Sequence, residues 1–200
     1  MHPDDIYQLL RNLTSPVVAI TSERAGKRNG MISDSAVRAS IVPTIPRLSV
    51  FVHKFNLSHD MIYETGRLVL HLLRRDQFEL IHRLGFVSGR TADKLADVPH
   101  RIGRLGAPVL DECYAHFECR VVNVMDTGSS TCFLGDVVEV GYGAAAAPRG
   151  GGRDHDGRLL SRQSAGGVAE RLRGSPERGP AIRRGAVAGH PAGGVEGLNA

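Results

Sequence analysis

Apolar and polar residues alternate along Arg47–His53 (RLSVFVH), as they do in a strand with one buried face. Pro16–Ser22 (PVVAITS) is a second β-rich run, followed by a turn carrying Gly26 and Gly30. Arg67–Leu73 (RLVLHLL) reads as another strand. His116–Asp126 and Thr131–Val140 read as two long strands joined by a Gly-Ser turn at Thr127–Ser130. Three segments have helical character instead. Asp4–Asn12 places acids in a first turn, where they suit the helix dipole. Ser58–Thr65 is expected as a helix capped by Ser58 and ended by Gly66. Asp76–Leu84 carries Phe78, Ile81, His82 and Leu84 at helical spacing and is expected to stop at Gly85. Several strands with short helices between them predict a mainly β fold, closed as a barrel rather than laid out as a parallel sheet.

The pattern breaks near Tyr142. All ten aromatic residues of the chain lie at or before that position. Beyond residue 143, Gly, Ala, Arg and Pro supply 37 of the last 57 residues. A segment so poor in apolar side chains cannot offset its own chain entropy, so residues 143–200 are expected to be a disordered tail behind a domain spanning 1–142. Two origins stay open for the tail: a natural flexible extension, or translation out of frame of a GC-rich gene. His155–Arg173 (HDGRLLSRQSAGGVAERLR) can be encoded by DNA whose neighbouring frame reads MTADYFRGNLPEEWRSGY. That alternative holds the aromatics and acids a docking C-terminal helix needs. Sequencing the gene across codons 141–156 decides between the two origins.

Charge narrows the function. The chain has a formal charge of +4, yet residues 1–143 hold 16 basic and 16 acidic residues. The excess sits in the tail, and a neutral body offers no footprint for nucleic acid. No apolar run approaches the roughly 20 residues of a membrane span. The acidic start MHPDDIYQLL is unlike an export signal, so a cytoplasmic setting is expected. Three cysteines without a CxxC pair argue against a disulfide framework and a zinc site, and for free thiols in a reducing compartment. Among the nine histidines, His53, His59, His71, His82, His100 and His116 form no i,i+4 pair with an accompanying carboxylate, and no HExxH occurs. No metal site is expected.

The chemically informative stretch is Gly26–Asp60, dense in Ser33, Ser35, Ser40, Ser49 and Ser58 around two extended runs. Backbone N–H groups and hydroxyls on adjacent strands suit the edge of a flat heterocycle. KFNLSHD sets Lys54, Asn56, Ser58 and His59 just before a helix start, a combination suited to a phosphate. Neither a Walker A loop nor a GxGxxG fingerprint occurs. On composition alone, polar turns on a barrel rim explain the same residues.

The ordered string PVVAITS…GKRNGMISDS…SxVP…LSVFVHKFNLSHD resembles the flavin-reductase family, the FMN-binding split barrels. Gly66–Leu73, Gly106–Leu110 (GAPVL) and Phe133–Val138 (FLGDVV) continue the likeness in order, over about residues 6–140. The resemblance implies a Greek-key split barrel, a homodimer, and FMN (FAD in some members) near the subunit interface. It implies that Gly30, Met31, Ile32, Ser33, Asp34 and Ser35, with Ser40, Ile41 and Val42, line the flavin ring and ribityl chain. It implies that His53, Lys54, Asn56, Ser58 and His59 lie at the phosphate end.

The implied activity is hydride transfer from NADH or NADPH to the flavin, with a flavin-dependent monooxygenase or another redox protein as partner. Three departures bear on it. Ser130 stands where many members have a histidine near the nicotinamide. His71 replaces an asparagine, and Thr44 replaces the second proline of the SxxPP pattern. These leave a second function open, a non-catalytic FMN-binding electron-transfer module; a third, an empty barrel acting only in interactions, applies if an altered tail has crippled the fold.

Overall fold

The computed structural model describes residues 15–144, together with Ile6, Leu10, Asn12 and Leu13. Most of the expected N-terminal helix and nearly all of the Gly/Ala/Arg/Pro tail lie outside the described residues; Ile6 and Leu10 are helical.

Within the described residues 15–144, nine strands and two helices follow in the order β1 (Val18–Arg24), β2 (Lys27–Ser33), β3 (Ala36–Arg38), β4 (Arg47–His53), α1 (Leu57–Thr65), β5 (Arg67–Leu72), α2 (Phe78–Phe86), β6 (His100–Ile102), β7 (Pro108–Leu110), β8 (Ala115–Asp126) and β9 (Ser130–Tyr142). Seven strands form one curled antiparallel sheet in the order β2-β1-β5-β8-β9-β4-β3, and β6 pairs with β7 separately. The two edge strands, β2 and β3, are joined directly through Asp34 and Ser35, so the chain itself bridges the open side of the half-barrel.

The apolar run in β1 is continuous because both of its faces are buried. Val18 and Ile20 enter the barrel interior with Val50, Val52, Leu68, Leu70 and Phe133. Val17 and Ala19 point the other way, into a cluster with Leu73, Ile81, Leu84 and Leu110 beneath α2. Ile62 of α1 joins the interior cluster and anchors that helix against the barrel.

Lys27–Ser33 is a full strand, so the turn expected over Gly26 and Gly30 does not extend to Gly30. The reversal is confined to Ala25 and Gly26, both at positive φ (51° and 82°), the backbone of a two-residue hairpin loop. Gly30 sits within β2, opposite Thr21. A Cβ there would meet Leu84 Cδ2 at 2.8 Å, so glycine at this position permits α2 to approach the sheet.

Two helix boundaries also depart from expectation. Ser58 does not cap α1; Asn56 holds the N-cap position in extended conformation, without a side-chain capping bond. Ser58 instead lies in the first turn, fully buried, and its Oγ accepts a hydrogen bond from Asn29 Nδ2 at 2.9 Å. Gly66 ends α1 as expected, in the left-handed region, with its N–H donating to Ile62 O at 2.8 Å. Helix α2 runs through Gly85 to Phe86. Gly85 lies within the last turn on the side of α2 that faces β2, where a Cβ would make only ordinary contact with Ile32 at 3.4 Å.

Candidate functional site

A cavity of about 300 Å³ opens where β2, the start of α1 and the segment after α2 meet. Asn29, Met31 and Ile32 form one wall, and Phe55 through Ser58 form a second. Leu84 through Arg90, with Lys94, complete it. Asn29 fastens the first wall to the second through Ser58, and a Cβ at Gly89 would fall 2.0 Å from Asn29 Oδ1. Glycine is therefore required at 89 for the third wall to close against the first.

Two cations face this cavity. Arg90 donates to Asp60 Oδ2 at 3.0 Å and reaches the Phe55 carbonyl at 3.4 Å, tying the second wall to the third. Burial raises the Asp60 carboxyl, but the hydrogen bonds from Arg90 and His59 outweigh it and hold the group below its usual value. Lys94 is different. Its side chain is buried at 6% exposure, and its Nζ donates to the Leu84 carbonyl at 2.8 Å. No carboxylate among the described residues pairs with it, and burial lowers its ammonium from 10.5 to about 8. An uncompensated buried cation at an open cavity favours an anionic ligand. The N-terminus of α1, free of a side-chain cap, lies on the same cavity and adds partial positive charge.

The residues proposed from sequence divide among several places. Met31, Ile32, Asn56 and Ser58 line this cavity. Ser40, Ile41 and Val42 line a different one of about 470 Å³, walled by Val18, Leu48, Leu70, Leu72, Phe117 and Val137. Gly30 and Ser33 are buried in β2. Asp34 and Ser35 form the β2–β3 link, where Asp34 Oδ1 accepts from Ser35 Oγ and Ser35 O accepts from Phe51 N.

Lys54 and His59 turn toward the β8–β9 hairpin. Lys54 Nζ donates to both carboxylate oxygens of Asp126 at 2.8 Å, which lowers the Asp126 pKa. His59 Nε2 lies 2.9 Å from Thr131 Oγ1. His53 stacks on Phe55, and Ser130 pairs with His53 across β4 and β9. The sequence reading missed Arg90 and Lys94. Their only signal was a pair of cations in the polar stretch SGRTADK, 30 or more residues after the phosphate-like motif.

His71, at the position where the family resemblance implies asparagine, has a structural role. Fully buried, it accepts the Leu110 N–H at Nε2 (3.0 Å), which leaves Nδ1–H to face Ala19 O at 3.3 Å. Burial lowers its pKa to about 3, so it is neutral and bridges β1, β5 and β7. Among the described residues no group of three or more His, Cys, Asp or Glu is placed to hold a metal ion.

Comparison with known proteins agrees with this architecture. High molecular weight rubredoxin of Moorella thermoacetica is 30% identical over 132 residues, 65% of this chain and 57% of that protein. The chain thus spans little more than half of that relative. Ferric-chelate reductase (NAD(P)H) of Archaeoglobus fulgidus is 28% identical over 122 residues, 60% of this chain and 71% of that protein. More distant relatives are named reductase subunits of flavin-dependent monooxygenases, from Mycobacterium tuberculosis. Flavoredoxin from Methanosarcina acetivorans superposes with a TM-score of 0.60 at 25% identity, covering 66% of this chain and 70% of that one. The profile of the flavin reductase like domain matches residues 10–156, and the chain belongs to that family.

Proposed function

We propose that this protein is an NAD(P)H-dependent flavin reductase that binds FMN with the phosphate in the cavity between β2, α1 and the segment after α2. The observation that carries the phosphate assignment is Lys94, a buried cation without a carboxylate partner among the described residues, beside Arg90 and the uncapped start of α1. These groups suit a dianion, and Ser58 Oγ and the Asn56 amide supply neutral polar atoms at the same wall.

FMN supplies the ring that accepts hydride from the nicotinamide. The chain binds, orients and screens. Lys94 and Arg90 fix the phosphate end, and Asn29 and Gly89 hold the cavity walls in register. Met31 and Ile32 give an apolar surface that excludes water. No side chain is needed as general acid or base, so catalysis is a matter of positioning. The other sequence-implied contacts, Gly30 and Ser33–Ser35 along the β2–β3 link with Ser40–Val42 beyond it, are retained for the ring and ribityl chain. Lys54 and His59, which meet Asp126 and Thr131 of the β8–β9 hairpin, and His53, which stacks on Phe55, are given no direct phosphate contact in this reading.

The same reading includes a homodimer, supported by exposed Val37, Ile41, Val42 and Ile45 around the larger apolar cavity. It includes a flavin-dependent monooxygenase as partner, supported by the names of the reductase-subunit relatives. A cytoplasmic, reducing setting is supported by three free cysteines.

A second reading, an FMN electron carrier that takes electrons from a protein, is favoured by Ser130 in place of the expected histidine and by the rubredoxin relative's name. Titration with FMN and riboflavin tests the site: FMN is expected to bind at least tenfold more tightly, and equal affinity refutes the phosphate assignment. NADH oxidation stimulated by FMN then separates reductase from carrier.

A further inference from the structure

Arg90 reaches the cavity as a half-exposed side chain, yet its guanidinium is tethered. Its Nη2 donates to Asp60 Oδ2 at 3.0 Å and to the Phe55 carbonyl at 3.4 Å. Both bonds use the one nitrogen, and among the described residues Nη1 and Nε make no other. Three N–H groups therefore remain for a ligand. Because the guanidinium is planar, holding one nitrogen from two directions limits where the other two can point.

The tether is itself held. Asp60 Oδ1 lies 3.3 Å from His59 Nδ1, and His59 Nε2 lies 2.9 Å from Thr131 Oγ1. The imidazole stacks on Tyr63 with centroids 5.8 Å apart and meets Phe133 at 5.6 Å. With Nδ1–H donating to the carboxylate and Nε2 accepting from the Thr131 hydroxyl, a continuous chain runs from β9 through α1 to Arg90. An acid in the first turn of α1 also suits the helix dipole, but that role needs no division of its two oxygens between two partners. By charge alone, a carboxylate beside an anion site repels the ligand. Order in Arg90 is the gain that offsets this repulsion.

We propose that Asp60 is a positioning residue, which holds the Arg90 guanidinium toward the ligand phosphate by one nitrogen and leaves its remaining N–H groups to bind. The inference rests on the phosphate assignment above and deepens it, because it sets a preorganised cation, Arg90, alongside the buried one, Lys94. Asp60 itself touches no ligand. Its effect is the conformational freedom that Arg90 no longer loses on binding, about 2- to 12-fold in affinity for one side chain of this kind. The Asp60 side chain is 34% exposed, so its replacement does not open the core.

Asp60→Asn and Asp60→Ala separate position from charge. Both remove the same carboxylate charge, but only asparagine keeps an acceptor for Arg90, and His59 accommodates its amide by changing tautomer. FMN and riboflavin affinities are measured by flavin-fluorescence titration for the full chain, for both variants, and for both again in an Arg90→Ala background. Asp60→Ala is expected to bind FMN about 2- to 12-fold more weakly than Asp60→Asn, with equal riboflavin affinities. The difference is expected to vanish in the Arg90→Ala background, where no guanidinium is left to position. Equal FMN affinity of the two variants overturns the proposal while leaving the phosphate assignment standing. A difference that persists without Arg90, or one that riboflavin shares, also overturns it, since Asp60 then acts by shaping the cavity wall. If wild type binds FMN no better than riboflavin, the phosphate assignment fails, and the inference with it.

Discussion

Replacing Lys94 with methionine is expected to make the ligand-free protein more stable and its flavin binding weaker. The ammonium is depressed from 10.5 to about 8 by burial alone, and at about 1.36 kcal/mol per tenfold step this corresponds to about 3 kcal/mol of unfavourable charge burial at neutral pH. Solvent entering through the cavity mouth reduces that to about 1–3 kcal/mol. Methionine keeps the apolar stem and removes the charge, but leaves the Leu84 carbonyl without its 2.8 Å donor, a loss of about 1 kcal/mol. The net expectation at pH 7 is a stabilisation of about 0–2 kcal/mol.

The sign with pH follows from linkage. Between about pH 8 and 10.5 the unfolded lysine holds a proton that the folded one has lost, so wild-type stability gains on the variant as pH rises through that window. Above it, the lost hydrogen bond alone remains and Lys94→Met becomes the less stable protein. FMN affinity moves the other way: losing a charge-assisted hydrogen bond weakens binding about 10- to 100-fold at pH 7, with riboflavin unchanged. Urea unfolding of both proteins at pH 7 and pH 10.5, with flavin titrations alongside, checks each sign. A variant less stable at pH 7, by an amount independent of pH, refutes the picture of an uncompensated buried cation.

Other expectations follow from the same geometry. Wild-type affinity for FMN should fall above about pH 8, by at most tenfold per pH unit, as Lys94 deprotonates; a flat profile with unchanged Lys94→Met affinity removes Lys94 from the site. Gly89→Ala forces Asn29 away from Ser58 and should lower stability by about 1–3 kcal/mol and weaken FMN binding, read by denaturant midpoint and fluorescence. Lys54→Ala removes a pair held by exposed Asp126 and should change FMN affinity less than twofold, about the scale of a surface ion pair; a tenfold loss restores Lys54 to the phosphate site. His71→Leu strands the Leu110 N–H and Ala19 carbonyl and should destabilise by about 2–4 kcal/mol, while the wild-type imidazole shows no NMR titration between pH 5 and 8.

The fold was legible in the chain because its strands carry simple patterns. RLSVFVH alternates and becomes β4, and the doubly buried VVAI becomes the centre of β1. Gly66 ended its helix because nothing opposed its local preference. Gly30 and Gly85 misled for the opposite reason. Gly30 is glycine on account of a neighbour far away in sequence, Leu84, while Gly85 continues its helix with room for a Cβ, and local turn rules see only the missing side chain. The candidate site divided in the same way. Asn56 and Ser58 were found because they sit in one short motif at a helix start. Lys94 and Arg90 were not, since no spacing rule ties them to it and only the packing of α2 on β2 carries them there. Lys54 belongs to the same motif, yet its partner Asp126 lies 72 residues later in the chain, a contact that no local spacing announces.

The central claim, that this chain holds FMN and passes electrons to it from a nicotinamide, is tested most directly by one anaerobic spectrum. Purified protein is mixed with FMN, its visible flavin band is recorded, and NADH is added. The account predicts bound flavin whose band bleaches over many turnovers when free FMN is in excess. A band that is unchanged on adding NADH or NADPH, with flavin demonstrably bound, contradicts the reductase and leaves the carrier.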